Sequence, residues 1–167
     1  KLLMRAGRVD KYRSETVADL IEKQIKKYPT NIAIEFEDKK YTYKELDAEA
    51  NKIAHWATSK GYKKGDVISL LMENRPEFIF IWLAFAKIGG TVACLNSNIK
   101  SKSLAHCIQT SKSKSIIVDS ELIDNYSSAH DLLEEKLPVY VSGNEVQGYE
   151  NINSEDYSSN CPDSSVR

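Results

Sequence analysis

The sequence is poor in cysteine, and neither sign of charge is in excess. Its three cysteines, Cys94, Cys107 and Cys161, are far apart and lack CxxC spacing. This spacing predicts neither a disulfide framework nor a zinc site, and it favours a reducing, intracellular compartment. The 23 Lys and Arg residues are balanced by 24 Asp and Glu residues. This charge balance indicates neither a nucleic acid partner nor an anionic membrane.

Long hydrophobic runs are also missing. The most apolar stretch, Phe78 to Ala86 within MENRPEFIFIWLAFAKIGG, is far shorter than the roughly 20 residues that cross a bilayer. The first residues lack the apolar core of a signal peptide. Asn74 is a good helix cap and Pro76 suits the first turn, so this stretch predicts a helix. Core burial is favoured over partner contact, and partner contact over ligand lining.

Glycine is too scarce and too scattered to build a phosphate-binding loop. The seven glycines form neither GxGxxG nor GxxxxGK[ST], and these are the patterns that bring backbone amides close to phosphate oxygens. Gly61 and Gly89 are better explained as helix stops. The sequence therefore contains no recognisable nucleotide-binding loop.

What is present predicts one α/β domain held together by burial. The 167 residues are 41% hydrophobic and 28% charged, as in an ordinary globular domain. A hairpin is expected at 32–43, with the turn at Asp38, and apolar strands at 67–72, 91–95, 115–118 and 138–141. Helices are expected after Ser14, at 44–59, after Asn74, after Ser101 or Ser103, and around 131–136.

Alternation of helices and apolar strands predicts a Rossmann-like layered sheet, mainly parallel, with helices on both faces. The strand order does not follow from the sequence. We expect an amino-terminal lead-in at 1–13, the α/β subdomain at 14–143, and a polar, mobile tail at 144–167, where no apolar period is visible.

Several polar groups are candidates for a site, and each also has an ordinary structural explanation. Asn96, Ser97 and Asn98, followed by Ser101, Lys102 and Ser103, could bind an anion, although the same residues make good caps. Acidic residues near strand ends could hold magnesium: Glu37, Asp38 and Glu73. The histidines lack a partner at a telling spacing: His55, His106 and His130.

Two surface features complete the candidates. Tyr41 and Tyr43 are expected to alternate across a strand and could present one ring to solvent for stacking on a base, but no basic stripe accompanies them. Asn125 opens an NxS triplet that would matter only on a lumenal or secreted face. We therefore assign no catalytic, cofactor-binding or metal residue.

Two blocks of sequence resemble the amino-terminal part of adenylate-forming, AMP-binding enzymes. These are YTYKELDAEANKIAHWATSKGYKKGDVISLLMENRPEFIFIWLAFAKIGG and LNSNIKSKSLAHCIQTSKSKSIIV, within residues 31–118. MENRPEF and the LNSNI block resemble most specifically the fatty acid transport proteins, or very-long-chain acyl-CoA synthetases.

The resemblance implies a parent enzyme that uses ATP and magnesium to form an acyl-adenylate and then passes the acyl group to coenzyme A. It also implies a link to fatty acid uptake, and a parent associated with the endoplasmic reticulum, plasma or peroxisomal membrane through segments not present here. The family's Ser/Thr/Gly-rich loop ending in Pro-Lys and its later motifs are missing, so no family catalytic residue maps onto this sequence. The resemblance thus implies a fragment that binds no cofactor and is inactive alone, with the rest of the enzyme as its partner.

Two alternatives remain at this level. The chain could be a freestanding, non-enzymatic α/β module that binds a partner protein. It could also belong to an adenylate-forming enzyme with another acid substrate, such as a luciferase-like or carnitine-CoA ligase relative, since the family resemblance carries no acyl specificity onto these residues.

Overall fold

A five-stranded parallel sheet lies at the centre of the fold. The computed structural model describes residues 15–153 and 157–160. Its helices are α1 Val17–Lys27, α2 Tyr43–Ser59, α3 Pro76–Lys87, α4 Ser101–Ser111 and α5 Ile123–His130, with a 3-10 turn at Ser120–Leu122 before α5. Its strands are β1 Ile32–Phe36, β2 Lys39–Thr42, β3 Val67–Leu71, β4 Thr91–Leu95, β5 Ser115–Asp119, β6 Val139–Ser142 and β7 Glu150–Asn151.

The sheet has the order β4-β3-β5-β6-β7, and every neighbouring pair in it is parallel. Of its three inner strands, β3 and β5 have the sequences VISLL and SIIVD and are almost completely buried. Continuous apolarity is what a parallel strand covered on both faces requires. The predicted mainly parallel sheet is therefore confirmed, with the strand order supplied by the structure.

Two hydrophobic cores lie on opposite faces of this sheet. On one face, Ile68 and Leu70 of β3 pack with α2 and α3. On the other face, Ile116 and Val118 of β5 pack with α4 and α5. Successive strand residues point to opposite faces, so each inner strand feeds both cores. The predicted helix layers on both faces are confirmed.

The hairpin β1-β2 forms a separate antiparallel pair beside the sheet. Tyr41 of β2 meets Phe80 of α3 edge to face, with ring centroids 5.3 Å apart, a favoured aromatic geometry. The predicted hairpin is confirmed, but Tyr43 is the first residue of α2 and not part of a strand. The prediction that Tyr41 and Tyr43 alternate across a strand was wrong, because Thr42 caps α2 and Tyr43 already belongs to the helix.

The apolar stretch forms helix α3, and most of its large side chains lie in the core. Pro76 occupies its first turn as predicted, but the N-cap residue is Arg75 instead of Asn74 and makes no side-chain cap bond. Phe80, Ile81, Leu83 and Phe85 are buried in the core, as favoured from the sequence. Among the described residues, no helix is both long enough and apolar enough to cross a membrane.

The starts of two other helices differ from the predictions. Helix α1 is capped by Thr16; Ser14, the predicted cap, lies outside the described residues. Helix α4 has Lys100 as its N-cap residue, without a side-chain cap bond. The predicted cap at Ser101 or Ser103 was wrong because both residues lie inside the helix. The Ser101 backbone amide donates to Ser128 Oγ at 2.9 Å.

The helix predicted around 131–136 was wrong. The helix ends at His130, and residues 131–136 form turns. Asp119 starts the helical segment early, since its Oδ1 accepts a hydrogen bond from the Glu121 amide at 3.1 Å. Tyr126 and Ala129 then bury one side of α5 in the core, and this burial outweighs the better helix formers that follow.

The α/β fold continues past residue 143, where the sequence placed its boundary. Strand β7 pairs with β6, and the Ile152 amide donates to the Val141 carbonyl at 2.9 Å. Ile152 is buried in the α2–α3 core. Strand β7 has only two paired residues, and a single buried side chain follows it. This pattern is too short to be recognised as a strand in the sequence.

Replacing Thr42 by alanine is expected to lower the free energy of unfolding by about 1 kcal/mol, the usual cost of losing an N-cap. Thr42 Oγ1 accepts from the Glu45 amide at 3.2 Å, while Glu45 Oε2 accepts from the Thr42 amide at 2.8 Å. The backbone hydrogen bond from Thr42, followed by its hydroxyl, lowers the pKa of Glu45. Urea unfolding followed by circular dichroism measures the loss.

The pH dependence gives this prediction a second readout. A carboxylate with a lowered folded-state pKa stabilises the fold above its unfolded pKa and loses that contribution as the pH falls through the folded value. We therefore expect the cost of Thr42→Ala to shrink below the ordinary Glu pKa of 4.5. The Thr42 backbone bond remains in the variant, so a cost that stays constant from neutral pH to below that value would contradict the bond from the Thr42 hydroxyl to Glu45 Oε2.

Candidate functional site

The strand order creates a switch point between β3 and β5. The chain runs from β3 outward to β4, then crosses back to β5 and continues through β6 to β7 in the other direction. In doubly wound sheets the crevice outside the carboxyl ends of the two strands at such a point is the usual ligand site. Here those ends are Leu71 and Asp119, and the crevice between them is the candidate site.

An ion pair joins the two sides of this crevice. Arg75 precedes α3 and Asp119 ends β5, and Arg75 Nη1 lies 2.8 Å from Asp119 Oδ2. The Asp119 side chain is 1% exposed, so its charge depends on this partner and on the Glu121 amide. The hydrogen bond to Asp119 raises the pKa of Arg75 further above its usual range.

Two glutamates surround the same guanidinium. Glu77 Oε2 lies 3.3 Å from Arg75 Nε, and Glu121 Oε1 lies 3.9 Å from Nη1. One cation therefore faces three carboxylates at the mouth of the crevice. This arrangement orders the loops that follow β3 and β5, but it leaves the guanidinium committed to protein partners.

A cavity of about 550 Å³ opens beside the crevice on the α2–α3 side of the sheet. This volume is in the range of small-molecule sites. Lys52 in its wall pairs with Glu49 at 2.9 Å, and Phe80 and Tyr157 contribute aromatic surface. The full set of lining residues comes from α2, α3, the hairpin, β6 and the carboxyl-terminal segment: Tyr41, Glu49, Lys52, Ile53, Glu77, Phe80, Ser142, Ile152, Asn153 and Tyr157.

An apolar groove of about 270 Å³ lies on the other side of Arg75, between the hairpin and α3. Ile34 and Phe36 form one wall, and Phe78 and Ile79 form the other. Ile79 is 38% exposed, so this part of α3 is not fully covered. The apolar stretch thus divides its side chains between the core and an open groove.

The proposed anion site lies at the carboxyl end of β4, where the Asn96 side chain and several backbone groups already have protein partners. Asn96 Oδ1 accepts from the Asn98 amide at 2.9 Å, and the Ser97 carbonyl accepts from Asn125 Nδ2 at 2.9 Å. These bonds shape the β4–α4 turn and attach it to α5. Asn96 to Asn98 therefore have a structural role in this turn, and an anion site at Asn96 to Ser103 stays a prediction. Asn125, the possible glycosylation acceptor, is half-buried in this contact.

The acidic candidates are not brought together. Glu37 and Asp38 form the exposed hairpin turn, with Glu37 at a φ of 50°, and Glu73 is exposed after β3. Within residues 15–153 and 157–160, no group of three His, Cys, Asp or Glu side chains is arranged to hold a metal ion.

The histidines and cysteines are also dispersed. His55 lies on α2, His106 is exposed on α4, and His130 Nδ1 contacts Asp131 Oδ1 at 3.0 Å. Cys94 and Cys107 are free thiols, and burial raises the pKa of Cys94. Cys161 lies outside the described residues.

The sequence analysis missed Arg75 and Asp119. A carboxylate directly after the apolar run SIIV was the available signal, since parallel strands place such residues at the ligand edge of a sheet. Its partner was not recognisable because the two residues are 44 positions apart.

Comparison with known proteins relates this architecture to one enzyme family. The family profile described as "AMP-binding enzyme" matches residues 21–165. The chain is 38% identical over 124 residues to long-chain fatty acid transport protein 6 of Mus musculus, covering 74% of this chain and 19% of that protein. It is 33% identical over 144 residues to long-chain fatty acid transport protein 2 of Rattus norvegicus, covering 83% and 22%.

Solved structures show the same fold. The anthranilate CoA ligase AuaEII, in complex with anthranoyl-AMP, matches with a TM-score of 0.74 and 20% identity, covering 83% of this chain and 27% of that one. The amino-terminal subdomain of Klebsiella oxytoca NpsA, in complex with 3-hydroxybenzoyl-AMSN, matches with a TM-score of 0.66 and 23% identity, covering 75% and 30%. The chain spans about a fifth of the length of the curated relatives it matches.

Proposed function

This chain belongs to the AMP-binding enzyme family, and we propose that it is the amino-terminal portion of a long- or very-long-chain fatty acid:CoA ligase. The parent would use ATP and magnesium to form an acyl-adenylate, transfer the acyl group to coenzyme A, and thereby couple activation to fatty acid uptake at a membrane. The observation that carries this proposal is the 38% identity to a long-chain fatty acid transport protein over 124 residues.

The role of this portion in the reaction is that of a scaffold. Its carboxyl-edge crevice is closed by Arg75 and Asp119, which bind each other at 2.8 Å. The cations and hydroxyls near it are engaged in local contacts, as for Lys52 with Glu49. No residue of the chain is assigned a catalytic or cofactor-binding role. The purified 167-residue chain, supplied with fatty acid, ATP, magnesium and coenzyme A, is expected to form no acyl-CoA.

The experiment that tests the proposal is a chimera. Residues 21–165 replace the matching segment of the mouse fatty acid transport protein, and acyl-CoA formation from a long-chain fatty acid is measured. If this chain supplies the same scaffold, the chimera keeps acyl-CoA synthesis to within about tenfold of the mouse protein, since the residues that carry the chemistry remain those of the mouse protein.

The matched control is the same graft taken from gramicidin S synthase 2 of Brevibacillus brevis, which is 29% identical to this chain over 102 residues. This graft shares the family scaffold but comes from a different class of enzyme, so we expect it to support less acyl-CoA formation. A folded chimera of the present chain that makes no acyl-CoA, or no more than the control, would argue against the fatty acid ligase assignment.

A further inference from the structure

One side of α2 carries three polar side chains about one helical turn apart, a spacing that aligns them on a single face. We call Asn51, His55 and Ser59 the polar strip. All three contact the short segment 157–160: Asn51 Nδ2 is 2.8 Å from the Ser159 carbonyl oxygen, His55 Nε2 is 2.8 Å from the Asn160 carbonyl oxygen, and Ser59 Oγ is 3.2 Å from the Tyr157 hydroxyl.

Two of these contacts are made to backbone carbonyls. A carbonyl oxygen only accepts, so Asn51 and His55 are the donors, and the hydrogen of the imidazole lies on Nε2. Contacts of this kind hold an extended segment by its main chain, as in other modes of peptide recognition. Asn51 is 1% exposed, and a buried amide of this kind requires a partner to offset its lost hydration.

The bound segment forms part of the large cavity. Tyr157 contributes to the cavity wall together with Ile152 and Asn153. Residues 158–160 are themselves exposed, so their position depends on hydrogen bonds and not on burial. Segments with exposed hydrogen bonds and few buried apolar groups open at low cost.

We propose that the polar strip is a latch on which residues 157–160 dock reversibly, and that release of this segment removes the Tyr157 wall of the 550 Å³ cavity and widens its mouth. The occupant of the strip is this chain's own segment 157–160, which is held by two backbone carbonyls and by Tyr157, whose side chain also packs against the α2–α3 core. Ser142 lies in the cavity wall and is 1% exposed while the segment is docked. Because Ser142 shares this wall with Tyr157, we expect its accessibility to rise when the segment is released.

The test measures the reactivity of a thiol placed at Ser142. Ser142→Cys is introduced into the full chain with Cys94, Cys107 and Cys161 replaced by serine, and its rate of modification by N-ethylmaleimide is followed by mass spectrometry. Each net hydrogen bond shifts an equilibrium by about fivefold. Asn51→Ala combined with His55→Ala is therefore expected to raise the labelling rate roughly 30-fold.

The matched control is Thr58→Ala. The Thr58 hydroxyl donates to the Ala54 carbonyl within α2 at 2.9 Å and takes no part in the contacts with residues 157–160. This variant should leave the labelling rate unchanged. An unchanged rate in the Asn51→Ala/His55→Ala variant, with the fold intact by circular dichroism, would overturn the latch.

A second variant separates release of the segment from damage to α2. Tyr157→Ala removes the cavity wall on the segment side and should also accelerate labelling. Adding the strip substitutions to Tyr157→Ala should then have a much smaller effect than in the parent, because both act on one opening step. If the effects multiply independently, or if Tyr157→Ala leaves the rate unchanged, the proposal fails even where the strip variant unfolds.

Discussion

Replacing Arg75 by alanine is expected to lower the free energy of unfolding by about 4 kcal/mol. The change removes the cation whose Nη1 lies 2.8 Å from Asp119, a carboxylate that is 1% exposed. Breaking a buried ion pair from one side leaves a charge without its partner in a poorly solvated place, which is the costly case. Urea unfolding followed by circular dichroism measures the difference.

The control for Arg75→Ala is Glu121→Ala, which removes another carboxylate near the same guanidinium. Glu121 also faces it, at 3.9 Å, but its side chain is 67% exposed. Glu121→Ala should therefore change stability by less than about 0.5 kcal/mol. Equal losses for the two variants would mean that the Asp119 carboxylate is accommodated without Arg75.

The double variant Arg75→Met/Asp119→Leu tests whether stability requires the two charges themselves, or only that neither charge is left without its partner. Replacing both partners of a buried pair by apolar side chains of similar size is often neutral. Most of the lost stability should return in the double variant, apart from about 1 kcal/mol for the lost cap that Asp119 gives the Glu121 amide. If it does, the pair orders the crevice at little net energetic gain, in agreement with a scaffold role for these residues.

The inner strands could be predicted from the sequence because their burial is complete. VISLL and SIIVD carry a signal in every residue, and the structure places both in the middle of the sheet. Strand order was not predictable, since it depends on contacts between distant segments. The candidate crevice depends on that order, so it could not be located from the sequence either.

Local competition explains the other differences. Helix α5 lies at Ile123–His130 and not at 131–136. Burial of Tyr126 outweighs the higher helix propensity of the residues that follow it. Strand β7 has only two residues, and it is held in place by the neighbouring strand β6. Both outcomes follow from tertiary contacts that a single sequence does not display.

The latch depends on the same kind of information. Asn51, His55 and Ser59 could be aligned on one helix face from their spacing, but their common partner is about 100 positions away. A polar strip on an amphipathic helix is ordinarily a solvated face. The burial of Asn51 distinguishes this strip from an ordinary one, and burial is a property of the fold.

Replacing Asp47 by alanine is expected to lower the free energy of unfolding by about 3 kcal/mol. Lys87 near the end of α3 is 1% exposed, and its Nζ lies 2.7 Å from Asp47 Oδ1 on α2 and 3.6 Å from Glu22 Oε1 on α1. Removing Asp47 takes away the shorter of these two contacts with a buried ammonium group. Chemical unfolding of the full chain measures the loss.

Glu49→Ala on the same helix is the matched control, because Glu49 pairs with Lys52 at 2.9 Å while both side chains are about 40% exposed. Its cost should stay below about 0.5 kcal/mol. A comparable cost for Asp47→Ala would contradict a dependence on burial.

Helix α1 buries only Ala18 fully and leaves Val17 50% exposed, so its position depends strongly on Glu22 and Lys87. If Asp47→Ala also exposes α1 to faster amide exchange, then this charge cluster fixes how the first helix packs on the scaffold.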